Sequence, residues 1–177
     1  MPGTCYYDCD LLIDDDDAMY VVYGATNVSV AQLCADGLSQ VKTQQVFNAA
    51  DAGRRGIEGN RLYKKDGYYY VLDDDSQGTT VTWKAESPFG PYTNKIIIDN
   101  INSPVPGGGT LDQGSLIQTQ NGDWYFMSFS WAYLAGRLPV LAPITWGSDC
   151  FPVLTTDSSG GWGTSYPNTL PSHPLGS

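Results

Sequence analysis

The chain has 177 residues, 41% of them hydrophobic, and a formal net charge of −10 from nine Lys and Arg against nineteen Asp and Glu. That balance lacks the basic surface that phosphate backbones require, so nucleic acid is not an expected partner. No run approaches the ~20 apolar residues of a membrane span, and the opening MPGTCYYDCD has neither the basic nor the apolar region of a signal peptide. No membrane partner is expected either.

Three stretches share one register. Residues 8–22 read DCDLLIDDDDAMYVV, residues 58–72 EGNRLYKKDGYYYVL and residues 113–127 QGSLIQTQNGDWYFM. Aligning Asp16, Asp66 and Asn121 stacks Asp17 on Gly67 and Gly122, and Tyr20 on Tyr70 and Tyr125. An apolar run, an Asp/Asn-Gly-like turn and an aromatic run together predict a hairpin. In chain order, the first hairpin is followed by strand candidates VAQL and VKTQQVF, and the second by TVTWKAE and NKIIID. LPVLAPITW and the segment around Phe151 to Leu154 follow the third. No segment carries a sustained helical period, so the expected fold class is all-β.

The turns are spaced 50 and 55 residues apart, a period typical of stacked or radially arranged units. About four short strands per unit fits a β-propeller blade. A closed propeller of four or five such blades needs roughly 200 to 280 residues, and this chain holds about three. Three blades alone would leave two uncovered flanks, so the expectation is that the chain is a piece of a longer domain or that something else closes it. Residues 1–167 are read as one partial propeller, and the Pro- and Ser-rich residues 168–177 as a tail or linker containing the only histidine, His173.

Two runs hold much of the charge. Asp14 to Asp17 lacks the alternating spacing and distal Glu of a calcium loop and reads as a solvated turn, and Asp73 to Asp75 receives the same reading. The four cysteines, Cys5, Cys9, Cys34 and Cys150, form no zinc pattern and allow three full pairings, with buried free thiols at least as expected as disulfides. Asn27-Val28-Ser29 is a single sequon.

Eight residues before each aligned turn stand Asp8, Glu58 and Gln113. In a propeller the first strand of each blade lines a central channel, so these side chains would converge although they lie far apart in sequence. Two converging carboxylates suit acid-base chemistry, because one negative charge disfavours ionising the other. The bland alternative is that Asp8 and Glu58 cap strand starts and bond turn amides.

The blocks YDCDLLIDDDDAMYVVYG, IEGNRLYKKDGYYYV, SPFGPY, the QG of LDQGSLIQT, NGDWYFMSF and GRLPVLAPITW occur in this order between Asp8 and about Pro167. In these the chain resembles the catalytic domain of family 43 glycoside hydrolases. That resemblance implies a five-bladed propeller that removes xylosyl and arabinofuranosyl units from plant polysaccharides by inverting hydrolysis. An arabinoxylan-like oligo- or polysaccharide is then the expected partner and the extracellular space the expected location. No organic cofactor is implied. Glu58 matches the family's general acid, Asp8 the aspartate that keeps the acid protonated and in place, and Arg137 the arginine that bonds sugar hydroxyls. The base aspartate belongs to a blade preceding Asp8, and no carboxylate of this chain matches it by register.

Departures from the family pattern lie near the same channel. Asp112-Gln113-Gly114 stands where His-Gln-Gly is usual, at a position that often faces a central calcium or water. Asp112 is therefore a candidate cation ligand as well as a candidate solvated carboxylate, with Gln113 beside the substrate. Trp131 replaces a common acidic residue and is suited to stack on a sugar face or to fill core. Three readings follow: a glycosidase completed by further blades, a non-catalytic relative binding carbohydrate through Trp131, Tyr133 and Arg137, or a self-associating propeller remnant. The sequence leaves the oligomeric state open.

Overall fold

The computed structural model describes residues 6–167. It contains three four-stranded antiparallel sheets formed one after another along the chain. The first comprises β1 (Asp10–Ile13), β2 (Met19–Gly24), β3 (Asn27–Leu33) and β4 (Gln40–Asn48). The second comprises β5 (Glu58–Lys65), β6 (Tyr68–Asp75), β7 (Thr79–Ala85) and β8 (Thr93–Asp99). The third comprises β9 (Gly108–Gln118), β10 (Trp124–Ala132), β11 (Gly136–Trp146) and β12 (Pro152–Leu154). In each sheet spatial order follows chain order, so every connection within a sheet joins neighbours.

The three aligned hairpins form as expected. In the second, Asp66 and Gly67 both take positive φ, 50° and 81°, the combination that lets a two-residue turn match the strands' twist. In the first the left-handed residue is Asp17, and in the third it is Gly122. Each strand candidate read downstream of a hairpin is also a strand, and among the described residues the only helical element is a single 3-10 turn at Ala49–Ala52.

The sheets pack face against face, and the second is covered on both sides. Val22, Val28, Val30 and Phe47 of the first sheet meet Leu62, Val71, Val81 and Trp83 of the second. Phe47 stacks on Trp83 with 4.0 Å between ring centroids. On the opposite face Leu72 and Ile98 meet Leu116, Phe126, Ala142 and Ile144 of the third sheet. Each fully buried aliphatic or aromatic side chain contributes about 1.5–3 kcal/mol, and residues 69–75 of β6 are buried without interruption. That explains why the β6 sequence shows a continuous apolar run rather than an alternation.

Single polar bonds also join adjacent sheets. The Asp10 carboxylate accepts the Leu62 N–H at 2.9 Å, and the Tyr63 hydroxyl accepts the Leu116 N–H at 2.9 Å. The amide of Asn60 donates to the carbonyls of Asp8 and Gly24.

Both aspartate runs require correction. Asp15, Asp16 and Asp17 are exposed in the β1–β2 turn, but Asp14 is buried and accepts bonds from Lys64 and Tyr69 of the second sheet. Burial pushes its carboxyl up, but the bonds from Lys64 and Tyr69 outweigh this and hold it below the ordinary value. Asp73, Asp74 and Asp75 do not form a solvated turn: they complete β6 and are buried. The turn begins one residue later, because the Asp75 carboxylate accepts the N–H groups of Gln77 and Thr79 and so closes the β6–β7 reversal itself.

Among the described cysteines, Cys9, Cys34 and Cys150 are free, with Cys9 exposed and the other two half-buried. Cys5 and the 168–177 tail, with His173, lie outside the described residues.

The outer faces of the first and third sheets are apolar and uncovered. Leu11 and Ile13 are 50% and 60% exposed, on the opposite face of β1 from the packed Leu12. Ile117, Met127, Leu141 and Val153 are exposed on the third sheet, and each neighbours a residue packed into the core.

Candidate active site

Glu58 is the first residue of β5, and the segment before it is firmly held. Asn48 caps the 3-10 turn by accepting the Ala50 N–H at 2.8 Å, Asp51 returns the bond to the Asn48 N–H, and Gly53 ends the turn at φ 70°. Ile57, 3% exposed, anchors the segment in the core immediately before Glu58.

The structure brings the three register-equivalent side chains together around Gly59. The Asp8 carboxylate accepts the Gly59 N–H at 3.0 Å. On the other side, a Cβ at Gly59 would lie 2.9 Å from Cγ of Gln113, so the glycine, at φ 72°, is the point of closest approach. The residue that Asp8 holds directly follows Glu58. Asp8 therefore bonds an amide, as the capping alternative expected, and that bond sets it beside the candidate acid.

Their strand positions differ from a strict repeat. Asp8 precedes β1 with φ 47°, Glu58 begins β5, and Gln113 lies inside the longer β9 with φ 37°. Bulges between Glu58 and Arg61 and between Met127 and Phe129 absorb the difference. Bulges re-aim side chains where strands would otherwise alternate strictly.

Asp74, read from the sequence as part of a solvated turn, pairs across β5–β6 with Glu58. It is 2% exposed, accepts the Thr80 hydroxyl, and accepts the Gly114 N–H at 3.0 Å. Burial pushes its carboxyl up to about 7 against these bonds.

Asp112 and Arg137 complete the group. Asp112 is half-buried, and its carboxyl is raised by burial and by the nearby Glu58 charge, with Arg137 acting in the opposite sense. Arg137, the second residue of β11, stands opposite Trp131, and its guanidinium lies 5.0 Å from the Trp131 ring centroid and 4.7 Å from that of Phe129. Such stacking fixes a long cationic side chain while leaving its donors free. Trp131 is 49% exposed, which makes it surface rather than core filling; Tyr133 is 94% exposed.

A cleft of about 640 Å³ adjoins Glu58, with walls formed by Arg54, Arg55, Asp74, Asp75, Ser76 and Gln77. Arg54 pairs with Asp75 at 3.1 Å.

For a cation, the arrangement offers little. Among the described residues no three His, Cys, Asp or Glu side chains gather as a metal ion requires, and the positive Arg137 acts on Asp112. These residues do not by themselves fit a calcium cage.

Residues 2–152 match the sequence model of glycosyl hydrolases family 43, and the chain belongs to that family, whose members are glycosidases. It is 29% identical over 154 residues to a protein of Xylanibacter ruminicola named "Putative beta-xylosidase", covering 81% of this chain and 27% of that one. It is 28% identical over 144 residues to the non-reducing end alpha-L-arabinofuranosidase BoGH43B of Bacteroides ovatus, covering 71% and 26%. Among solved structures, an engineered family 43 enzyme described as displaying both endo-xylanase and exo-arabinofuranosidase activity superposes with a TM-score of 0.87 at 41% identity. That superposition covers 93% of this chain and 31% of the other. The chain thus spans under a third of the length of these relatives.

Proposed function

We propose that these three sheets are consecutive blades of a five-bladed propeller that hydrolyses terminal xylosyl or arabinofuranosyl bonds of arabinoxylan-like polysaccharides with inversion. The observation that supports this reading is the Asp8–Gly59 hydrogen bond, which ties a second carboxylate, from the segment preceding β1, to the residue that follows Glu58. Glu58 is the general acid and donates its proton to the departing glycosidic oxygen. Asp8 positions the acid by holding the amide of the residue that follows it. Arg137, steadied on Phe129 and Trp131, bonds hydroxyls of the released sugar, and Gln113 borders the same space. The base that activates water on the opposite face belongs to another blade of the whole protein, since inversion needs a second carboxylate on that side.

The test uses the full-length protein. Glu58→Ala should abolish turnover of natural oligosaccharides while sparing activated aryl glycosides, whose leaving groups need little protonation. Equal loss on both substrates would remove the acid role.

A second reading, a self-associating propeller remnant, is favoured by the uncovered apolar faces bearing Leu11, Ile13, Met127 and Leu141. Light scattering distinguishes the two, because a closed propeller has no such faces to bury.

A further inference from the structure

The cleft beside Glu58 lies where an acid must meet the leaving group, and its walls are unusual for so acidic a chain. Of only nine basic residues, two adjacent arginines, Arg54 and Arg55, line it. We propose that this cleft is a binding site for a sugar carboxylate, a uronic acid carried on the leaving-group side of the substrate, with Arg55 as its counter-charge. This rests on the assignment of Glu58 as the acid.

The pairing of polar groups in the cleft supports the assignment. Asp75 is already satisfied, since one oxygen pairs with Arg54 and the other accepts the amides of Gln77 and Thr79. Asp74 is occupied by Thr80 and Gly114. Arg55 is exposed and makes no hydrogen bond or ion pair among the described residues. Arg55 is thus the guanidinium of the cleft left without a protein partner, and a carboxylate matches its planar fork. The cavity volume accommodates a monosaccharide branch.

The wall that presents Arg55 is stiff. Arg54, its immediate neighbour, is pinned to Asp75, and Gly53 closes the capped 3-10 turn through bonds from its N–H and that of Arg54 to Ala50 and Ala49. Ser76 and Gln77 stand on the facing β6–β7 turn and supply neutral donors and acceptors for ring hydroxyls. A preorganised cation loses little on binding.

Calorimetry on the full-length protein tests this with two probes of equal length, a neutral xylo-oligosaccharide and one bearing a single glucuronic acid branch. At low ionic strength the acidic probe should bind about tenfold more tightly, the scale of one charge-assisted hydrogen bond. The preference should vanish in Arg55→Gln, persist in the distant-surface variant Lys95→Gln, and shrink as salt is added. Equal affinity for both probes would overturn the carboxylate site while leaving the glycosidase reading intact. A preference retained in Arg55→Gln would overturn it equally, and absence of binding by either probe would overturn both. Unchanged melting temperature in Arg55→Gln shows that the loss is not one of folding.

Discussion

The carboxylate of Asp74 holds the N–H of Gly114 at 3.0 Å, tying the strand opposite Glu58 to the segment that carries Asp112 and Gln113. Asp8 does the same to Gly59 one sheet earlier. Two buried or half-buried carboxylates thus hold the two segments that border the candidate channel, each by a glycine amide.

Removing the Asp74 clamp should be costly. Asp74→Ala leaves the Gly114 N–H and the Thr80 hydroxyl without their acceptor in a buried place, which costs about 2–3 kcal/mol in total. Urea unfolding should show the midpoint fall with an unchanged slope. Asp74→Asn keeps an acceptor oxygen and should lose less than half as much.

Stability should rise on mild acidification. Neither oxygen of fully buried Asp73 makes a well-formed hydrogen bond, and burial together with the neighbouring Asp74 raises its carboxyl well above the ordinary value against the opposing pull of the Trp83 indole. The Thr80 and Gly114 bonds belong to Asp74. A raised carboxyl stays protonated in the fold while the unfolded chain ionises near pH 4, so unfolding releases protons in that window. For Asp74 the window runs from about pH 4 to about 7, and stability is lost as pH rises through it. Thermal melts should give a higher Tm at pH 5 than at pH 7. Asp73→Asn should raise the Tm at pH 7 and flatten the slope; an unaltered slope would show that Asp73 is not the titrating group.

The outer faces predict behaviour on isolation. Residues 1–177 produced alone should associate with rising concentration, because Leu11, Ile13, Ile117, Met127, Leu141 and Val153 leave two apolar surfaces open to each other. Ile13→Lys with Met127→Lys should return a monomer by size-exclusion light scattering. Neither residue belongs to the packed core, so the melting temperature should change little.

Trp131 should matter to ligand and not to fold. At 49% exposure, with Arg137 stacked over it, Trp131→Ala should weaken sugar binding about tenfold by calorimetry while stability shifts by no more than about 0.5 kcal/mol.

Much of the architecture was legible because it is local. The Asp-Gly turns, the aromatic runs after them and the four strands per unit all follow from periodicity and turn chemistry, and the register of Asp8, Glu58 and Gln113 marked the residues that meet at Gly59. The aspartate runs were not legible, since what decides burial is the opposing sheet. Asp14 is buried because Lys64 and Tyr69 reach it from fifty or more residues away, and Asp74 because Gly114 does so from forty. Nor could the sequence show that β9 begins five residues ahead of Gln113, because bulges shift register without leaving a residue signature.

The segment from Asp112 to Gly114 divides its duties unevenly. Gly114 admits no replacement, since a Cβ there would lie 1.8 Å from the Phe126 ring. Asp112 is secured through its backbone, whose carbonyl accepts the Ser128 hydroxyl, while its side chain makes no hydrogen bond among the described residues. A substitution at position 112 would therefore rewrite the charge facing Glu58 and Arg137 without breaking a side-chain hydrogen bond of the sheet beneath it.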